Sequence, residues 1–223
     1  MGDPTTYHFD LDPALRPAHA PLEERWWPGI RDAALKASSA RIYDPIKGVR
    51  AVVIHATAGG SAAGAASVIF DRKASFHWLV PDEDEPQHEQ FVWATCHEAR
   101  AAWHVRNACS HPAIGDGRGR INHWSLGIEV VNRQVRTDAF SDWQVEATAQ
   151  IVRYAWAKYP NLRHVVSHAM LDPARRSDPG SLFPWERLRE AVLDVRQDEV
   201  PELVAEAAEM KAVRPSAPFC MTV

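Results

Sequence analysis

The first sustained hydrophobic run of the chain, AVVIH at 51–55, is rich in β-branched side chains and stops at a histidine before the small residues ATAGG. That pattern predicts a buried strand that delivers His55 at its end. The alanine-rich stretch 61–70 reads as a helix weakened by Gly64, and 75–80 and 90–93 read as strands joined by the acidic turn PDEDEP at 81–86. From 97 to 122 the periodicity dissolves into histidines, arginines and glycines. An irregular loop of that length in a compact domain is usually functional, and this one is a candidate groove lining. SLGIEVV at 125–131 alternates and then runs apolar, as a central strand does. At 140–144 a helix opens with strong local signals: Ser141 and Gln144 form a capping box, and Phe140 and Val145 a hydrophobic staple. Val145, Thr148, Ala149, Val152, Trp156 and Tyr159 share one face of that helix, which Pro160 and Asn161 terminate. A strand at 164–167 then carries His168, a last helix spans 184–195 with Pro184 in its first turn, and 199–213 is a charged helix candidate or tail. Strands alternating with helices predict a single α/β domain with a central mixed sheet flanked by helices.

Size and charge narrow the reading. With 223 residues the chain suits one domain at 49–196, an N-terminal extension at 1–48 packed on it, and a C-terminal helical extension or tail at 197–223. Trp26 and Trp27 beside Pro28 suggest that the first extension buries aromatics against the domain. A net charge of -4 and a pI near 6.2 argue against a nucleic-acid partner, so local arginines must carry any anion recognition. No apolar stretch approaches the ~20 residues that span a bilayer, which predicts a soluble protein without membrane insertion. The first residues, MGDPTTYHFDLDP, lack the basic patch and apolar run of a secretory signal. Cys96, Cys109 and Cys220 are odd in number and form no CxxC pair; a disulfide framework is not expected, although a Cys96–Cys109 bridge stays open.

The chemistry concentrates at two strand ends and one loop. His55 and His168 close apolar strands, and Asp178 follows His168 by ten residues on a loop punctuated by Pro173 and Pro179. Two neutral imidazoles and a carboxylate suit a divalent metal with one position left for water. The plain alternative is that both histidines merely cap strands. Glu129 is an acidic residue in an otherwise apolar strand, costly unless its charge is used, and hence a candidate general base; pairing with a buried arginine is the competing reading.

These pieces, VVIHAT, SFHWLV, AAWHV, SLGIEVVN and SHAMLDPARRSDPG, occur in the order and at the spacing of one family over roughly residues 49–195. The chain resembles the zinc-dependent N-acetylmuramoyl-L-alanine amidases, the group that includes AmpD, phage lysozyme-type amidases and the peptidoglycan recognition proteins. The resemblance implies Zn2+ held by His55, His168 and Asp178, and hydrolysis of the amide joining N-acetylmuramic acid to L-alanine in peptidoglycan or muropeptides. It also implies that Glu129 acts on the water and shuttles its proton to the leaving amine. Arg176 stands where many relatives carry a lysine that stabilises the oxyanion; arginine keeps the charge but hardly gives up a proton. Phe76 replaces a tyrosine of some relatives, removing a hydroxyl ahead of His77, which is left as a supporting residue near the metal. Trp103 and His104 match a Trp-His pair near the metal, to shape the pocket or support ligands, with core packing as the alternative. Arg106, Arg118, Arg120 and Arg175 are candidates for gripping stem-peptide carboxylates through paired hydrogen bonds. His97, His111 and His123 are not needed as further ligands.

Two other readings compete: a module that binds peptidoglycan without cutting it, and a zinc amidase for another amide. The setting expected without a signal peptide is a recycling enzyme of the cytosol, an endolysin released by a holin, or an effector of a dedicated secretion system with a secretion or immunity partner.

Overall fold

The computed structural model describes residues 2–194 apart from 87, 89 and 118. The candidate helix at 199–213, Cys220 and Arg118 lie outside the described residues. Among the described residues nine strands and five α-helices follow one another: β1 (His8–Asp10), β2 (Glu24–Trp26), α1 (Ile30–Lys36), β3 (Ser38–Ala40), β4 (Ala51–Ala56), α2 (Ala62–Phe70), β5 (Trp78–Val80), β6 (Val92–Ala94), β7 (Arg100–Ala102), β8 (Ser125–Val130), α3 (Asp142–Lys158), β9 (His164–Ser167), α4 (His168–Leu171) and α5 (Trp185–Leu193). Seven strands make one mixed sheet in the order β1-β9-β4-β8-β5-β6-β2, and β3 with β7 forms a separate two-stranded sheet.

The middle of the large sheet is parallel, β9 beside β4, β4 beside β8 and β8 beside β5. A parallel centre has both faces covered, which explains why all six residues of β4 are buried and why its sequence shows no alternation. On one face Val52, Ile54, Leu126, Ile128 and Val165 pack against α3 and α5 through Val145, Val152, Trp156 and Leu188. On the other, Ala51, Val53 and Val166 meet Ile121 and Trp124 from the loop before β8, while α1 and α2 form a neighbouring apolar cluster around Ile30 and Ile69.

Helix α3 starts where its capping box predicts, with both reciprocal bonds made. Gln144 does more than cap: its buried amide donates to the carbonyls of Pro81 and Val131 at 3.1 and 2.7 Å, locking the helix start to the ends of β5 and β8. The strand expected at 75–80 is cut to Trp78–Val80 because side chains take over the backbone's partners. Ser75 Oγ donates to the Ala37 carbonyl and accepts the Trp103 amide. The strand expected at 90–93 falls instead at Val92–Ala94.

Residues 1–48 supply both edges of the sheet: β1 pairs antiparallel with β9, and β2 pairs parallel with β6. Trp27 stacks edge-on against Trp93 with ring centres 5.2 Å apart. The stretch 97–122 is not wholly irregular, since it holds β7, whose partner β3 comes from that first segment. Cys96 and Cys109 are buried free thiols, so no bridge joins them.

Arg41, which the sequence pattern does not single out, pins that loop. Its guanidinium donates to the carbonyls of Glu98, Asn122, His123 and Ser125 at 2.9–3.0 Å, and burial draws its pKa down to about 10. Arg41→Met strands these acceptors and is expected to cost about 2–4 kcal/mol in urea unfolding. A loss below about 1 kcal/mol would show that the loop stands without the arginine.

Candidate metal centre and active site

Strand register builds the site. His55 and Glu129 are direct partners across β4 and β8, so their side chains leave the same face of the sheet side by side. Ile54 is paired with Ser167, which places His168, the next residue, beside His55 at the carboxyl ends of adjacent parallel strands. Ser167 caps the short helix α4 by accepting the Met170 amide, turning the chain sharply at His168. The loop then returns, and the Ala169 amide donates to the Asp178 carbonyl at 2.9 Å, bringing the Asp178 carboxylate back over the histidine.

The three donors converge. His55 Nδ1 and His168 Nδ1 are 3.0 Å apart, and Asp178 Oδ2 lies 3.2 Å from the first and 3.0 Å from the second. Ligand atoms on a tetrahedral zinc, at about 2.0–2.1 Å from the ion, sit about 3.3 Å from one another, close to this spacing. All three residues are buried.

Protonation supports the fit. Ser125 Oγ donates its one proton to the Ile121 carbonyl at 2.8 Å, so it accepts from His104 Nε2 at 3.2 Å. His104 Nδ1 is then an acceptor, and His55 Nε2, 3.0 Å away, donates to it. The consequence reaches the site: His55 Nδ1 carries a lone pair and points it at Asp178 and His168. Burial first, then the neighbouring His168, brings the His55 pKa down to about 4, so the ring is neutral, as a metal ligand must be. Burial would raise the Asp178 carboxyl, but the adjoining His168 and His55 imidazoles outweigh this and hold it below the usual range. A carboxylate and an imidazole lone pair aimed at one point want a cation. This buried group can hold a metal ion.

Glu129 stands next to this group, half-buried, with its pKa pushed up to about 8 by desolvation first, then by the Asp178 charge, and opposed by Arg176. His55, His104, Glu129, His168, Arg175, Arg176 and Asp178 line one cleft of about 540 Å3. The other anticipated residues lie elsewhere. Trp103 lines a separate depression, its indole donating to Ser39 Oγ at 2.9 Å, and Arg120 and His123 line it too. Arg106 turns to the Asp172 carboxylate at 3.3 Å, and the backbone carbonyl of Asp172 accepts the amides of Arg175 and Arg176. His77 is fully buried: its Nδ1 accepts the Gly127 amide at 2.9 Å and its Nε2 donates to the Arg100 carbonyl at 3.1 Å, tying β7 to β8. Desolvation and the nearby Arg41 bring its pKa down to about 3.

Two contributors escape sequence reading. Ser125 looks like an ordinary strand residue, yet it starts the hydrogen-bond chain that orients His55. Gln134 lines the cleft and donates to the Ala56 carbonyl at 3.2 Å. Gly127 has a steric reason: a Cβ there would meet His104 Cγ at 2.7 Å, so only glycine lets that ring lie flat on β8.

A model of the N-acetylmuramoyl-L-alanine amidase family matches residues 45–181, more than half of the 223 residues. The chain belongs to this family. Among amidases of known sequence, AmiD of Escherichia coli strain K12 is 32% identical over 151 residues, which is 63% of this chain and 52% of AmiD. The chain therefore spans about half of that relative's length. In three dimensions it shares the amidase fold with AmpDh3 from Pseudomonas aeruginosa, at a TM-score of 0.57 and 26% identity over 78% of this chain and 71% of that one. The E. coli AmiD complex with the substrate anhydro-N-acetylmuramic acid-L-Ala-D-gamma-Glu-L-Lys superposes with a TM-score of 0.53 at 28% identity, over 64% of this chain and 57% of AmiD.

The candidate centre offers a test of its hydrogen-bond chain. Ser125→Ala removes the acceptor that fixes His104 and is expected to weaken divalent-metal affinity about ten- to a hundredfold, the usual worth of such support. Competition against a chromophoric chelator measures it, and an unchanged affinity would show the chain to be dispensable.

Proposed function

We propose that this protein hydrolyses the amide bond between the lactyl group of N-acetylmuramic acid and L-alanine in peptidoglycan or its muropeptide fragments, with Zn2+ held by His55, His168 and Asp178. The reading rests above all on one observation: the converged His55–His168–Asp178 donors lie beside Glu129 in a single cleft. Bound there, zinc would make water nucleophilic near neutral pH and draw electrons from the scissile carbonyl.

The residues of the chain do the rest. Glu129 takes the proton of the attacking water as its oxygen bonds to the carbonyl carbon. When the carbon–nitrogen bond breaks, the same carboxyl returns that proton to the departing amine of L-alanine. A carboxyl with a raised pKa suits both halves of this exchange, because it holds a proton long enough to deliver it. Arg176, on the rim of the cleft, supplies positive charge for the oxyanion, and it does so electrostatically because a guanidinium stays protonated. Arg175, exposed beside it, would hold a carboxylate of the stem peptide.

Incubation with anhydro-muropeptide, followed by mass analysis, tests the assignment. Release of a peptide with a free L-alanine amine, abolished by chelation and restored by zinc, is the expected result. Cleavage at another bond, or turnover indifferent to chelator, would remove it.

A further inference from the structure

A second group of converging donors lies at the opposite end of β9, where that strand begins. His8 and Asp10 are two apart on β1 and so share a face, and Asp10 is the direct partner of His164 in the antiparallel ladder. Their polar atoms meet: Asp10 Oδ1 lies 2.7 Å from His164 Nδ1 and 2.9 Å from His8 Nε2, and the two nitrogens are 3.4 Å apart. This is the donor set of the amidase centre, two imidazoles and one carboxylate, at nearly the same spacing. Among the described residues only these two groups bring three such donors within 4.8 Å of one another.

Two features favour an ion over a simple hydrogen-bonded cluster. Both imidazoles approach the same carboxylate oxygen and crowd each other, aiming at a common point. A third ring is near: His111 sits edge-on to His8 with ring centres 6.1 Å apart. The donors stand on paired strands of the sheet, so little ordering is needed to close the site. His164 is 15% exposed, His8 28% and Asp10 69%, which leaves an open side for water ligands.

We propose that His8, Asp10 and His164 form a second divalent-cation site, selective for borderline ions such as Zn2+, that clamps the N-terminal strand β1 onto β9. Imidazole-rich sites prefer such ions to Mg2+ or Ca2+. The clamp would act on stability: it closes a loop of more than 150 residues between His8 and His164 and steadies the strand that leads to His168. It takes no part in bond cleavage.

Zinc binding by the untagged full-length protein, stripped of metal and then dialysed against Zn2+, tests this. Metal analysis should find two ions per chain in the parent and one in His168→Ala. His164→Gln and Asp10→Asn should each lose one ion while keeping amidase activity. In the His168→Ala background, zinc should raise the melting temperature by a few degrees, and adding His164→Gln should abolish that shift. Zinc content in His164→Gln and Asp10→Asn equal to that of the parent would overturn the site, whatever the fate of the ion at His168.

Discussion

Asp178→Asn is expected to strip zinc from the protein and to lower kcat/KM on anhydro-muropeptide by at least about a thousandfold, equivalent to about 4 kcal/mol of transition-state stabilisation. The substitution keeps the shape of the side chain and removes its charge. In the native site that charge is held 3.0–3.2 Å from two imidazole nitrogens that lie 3.0 Å from each other. Without it, neutral histidines alone must hold a dication in a buried setting, which is a weak trap. Metal analysis and initial rates on the same preparation check the claim. A variant that retains a full equivalent of zinc and normal turnover would end the assignment of Asp178 as a ligand.

Glu129→Gln is expected to act differently. Its zinc content stays near that of the parent while kcat falls about 10^2- to 10^4-fold, the range for loss of a positioned acid–base group. Parallel zinc analysis separates the two cases, and an unchanged kcat would remove Glu129 as the proton carrier. The stability of the metal-free protein offers a second readout. The Glu129 carboxyl titrates near 4.5 when unperturbed and is pushed up to about 8 in the fold by desolvation and by Asp178. A raised folded value means that the folded state binds the extra proton, so this contribution is fully present below about 4.5 and is lost as pH rises through about 8. Relative to the parent, metal-free Glu129→Gln should therefore gain stability across that window, as urea unfolding at several pH values would show. A cation at the centre pulls the Glu129 pKa down, and the gain should shrink once zinc is added.

Much of the fold was legible in its residues because the deciding signals were local. The capping box of α3 depends on Ser141 and Gln144 alone, and the structure makes both bonds. The apolar run of β4 shows no alternation, as a strand buried on both faces requires. The three donors were recognisable as donors, and the chain brings them together. Other features were illegible for the opposite reason. Strand β7 hides among polar residues because its partner β3 is some 60 positions away. Trp103 and Arg106 flank His104 in sequence, yet Arg106 faces Asp172 and Trp103 faces Ser39, while the buried His104 ring lies against Gly127 and His55. Neighbours on a bent loop do not share a direction, and no periodicity records the bend.

The sequence by itself determined the central strands β4, β8 and β9 and the helices α2, α3 and α5, which side chains offer metal-binding or acid–base chemistry, and which family they spell out. These depend on alternation, capping and side-chain chemistry, all of them properties of a few adjacent residues. Only the tertiary structure decided that His55 lies beside Glu129, that β9 presents His168 next to it, that Ser125 sets the tautomer of His55 through His104, and that residues 1–48 provide both edges of the sheet. Register and strand order are set by which distant surfaces bury one another best, and that is a property of the whole packed chain.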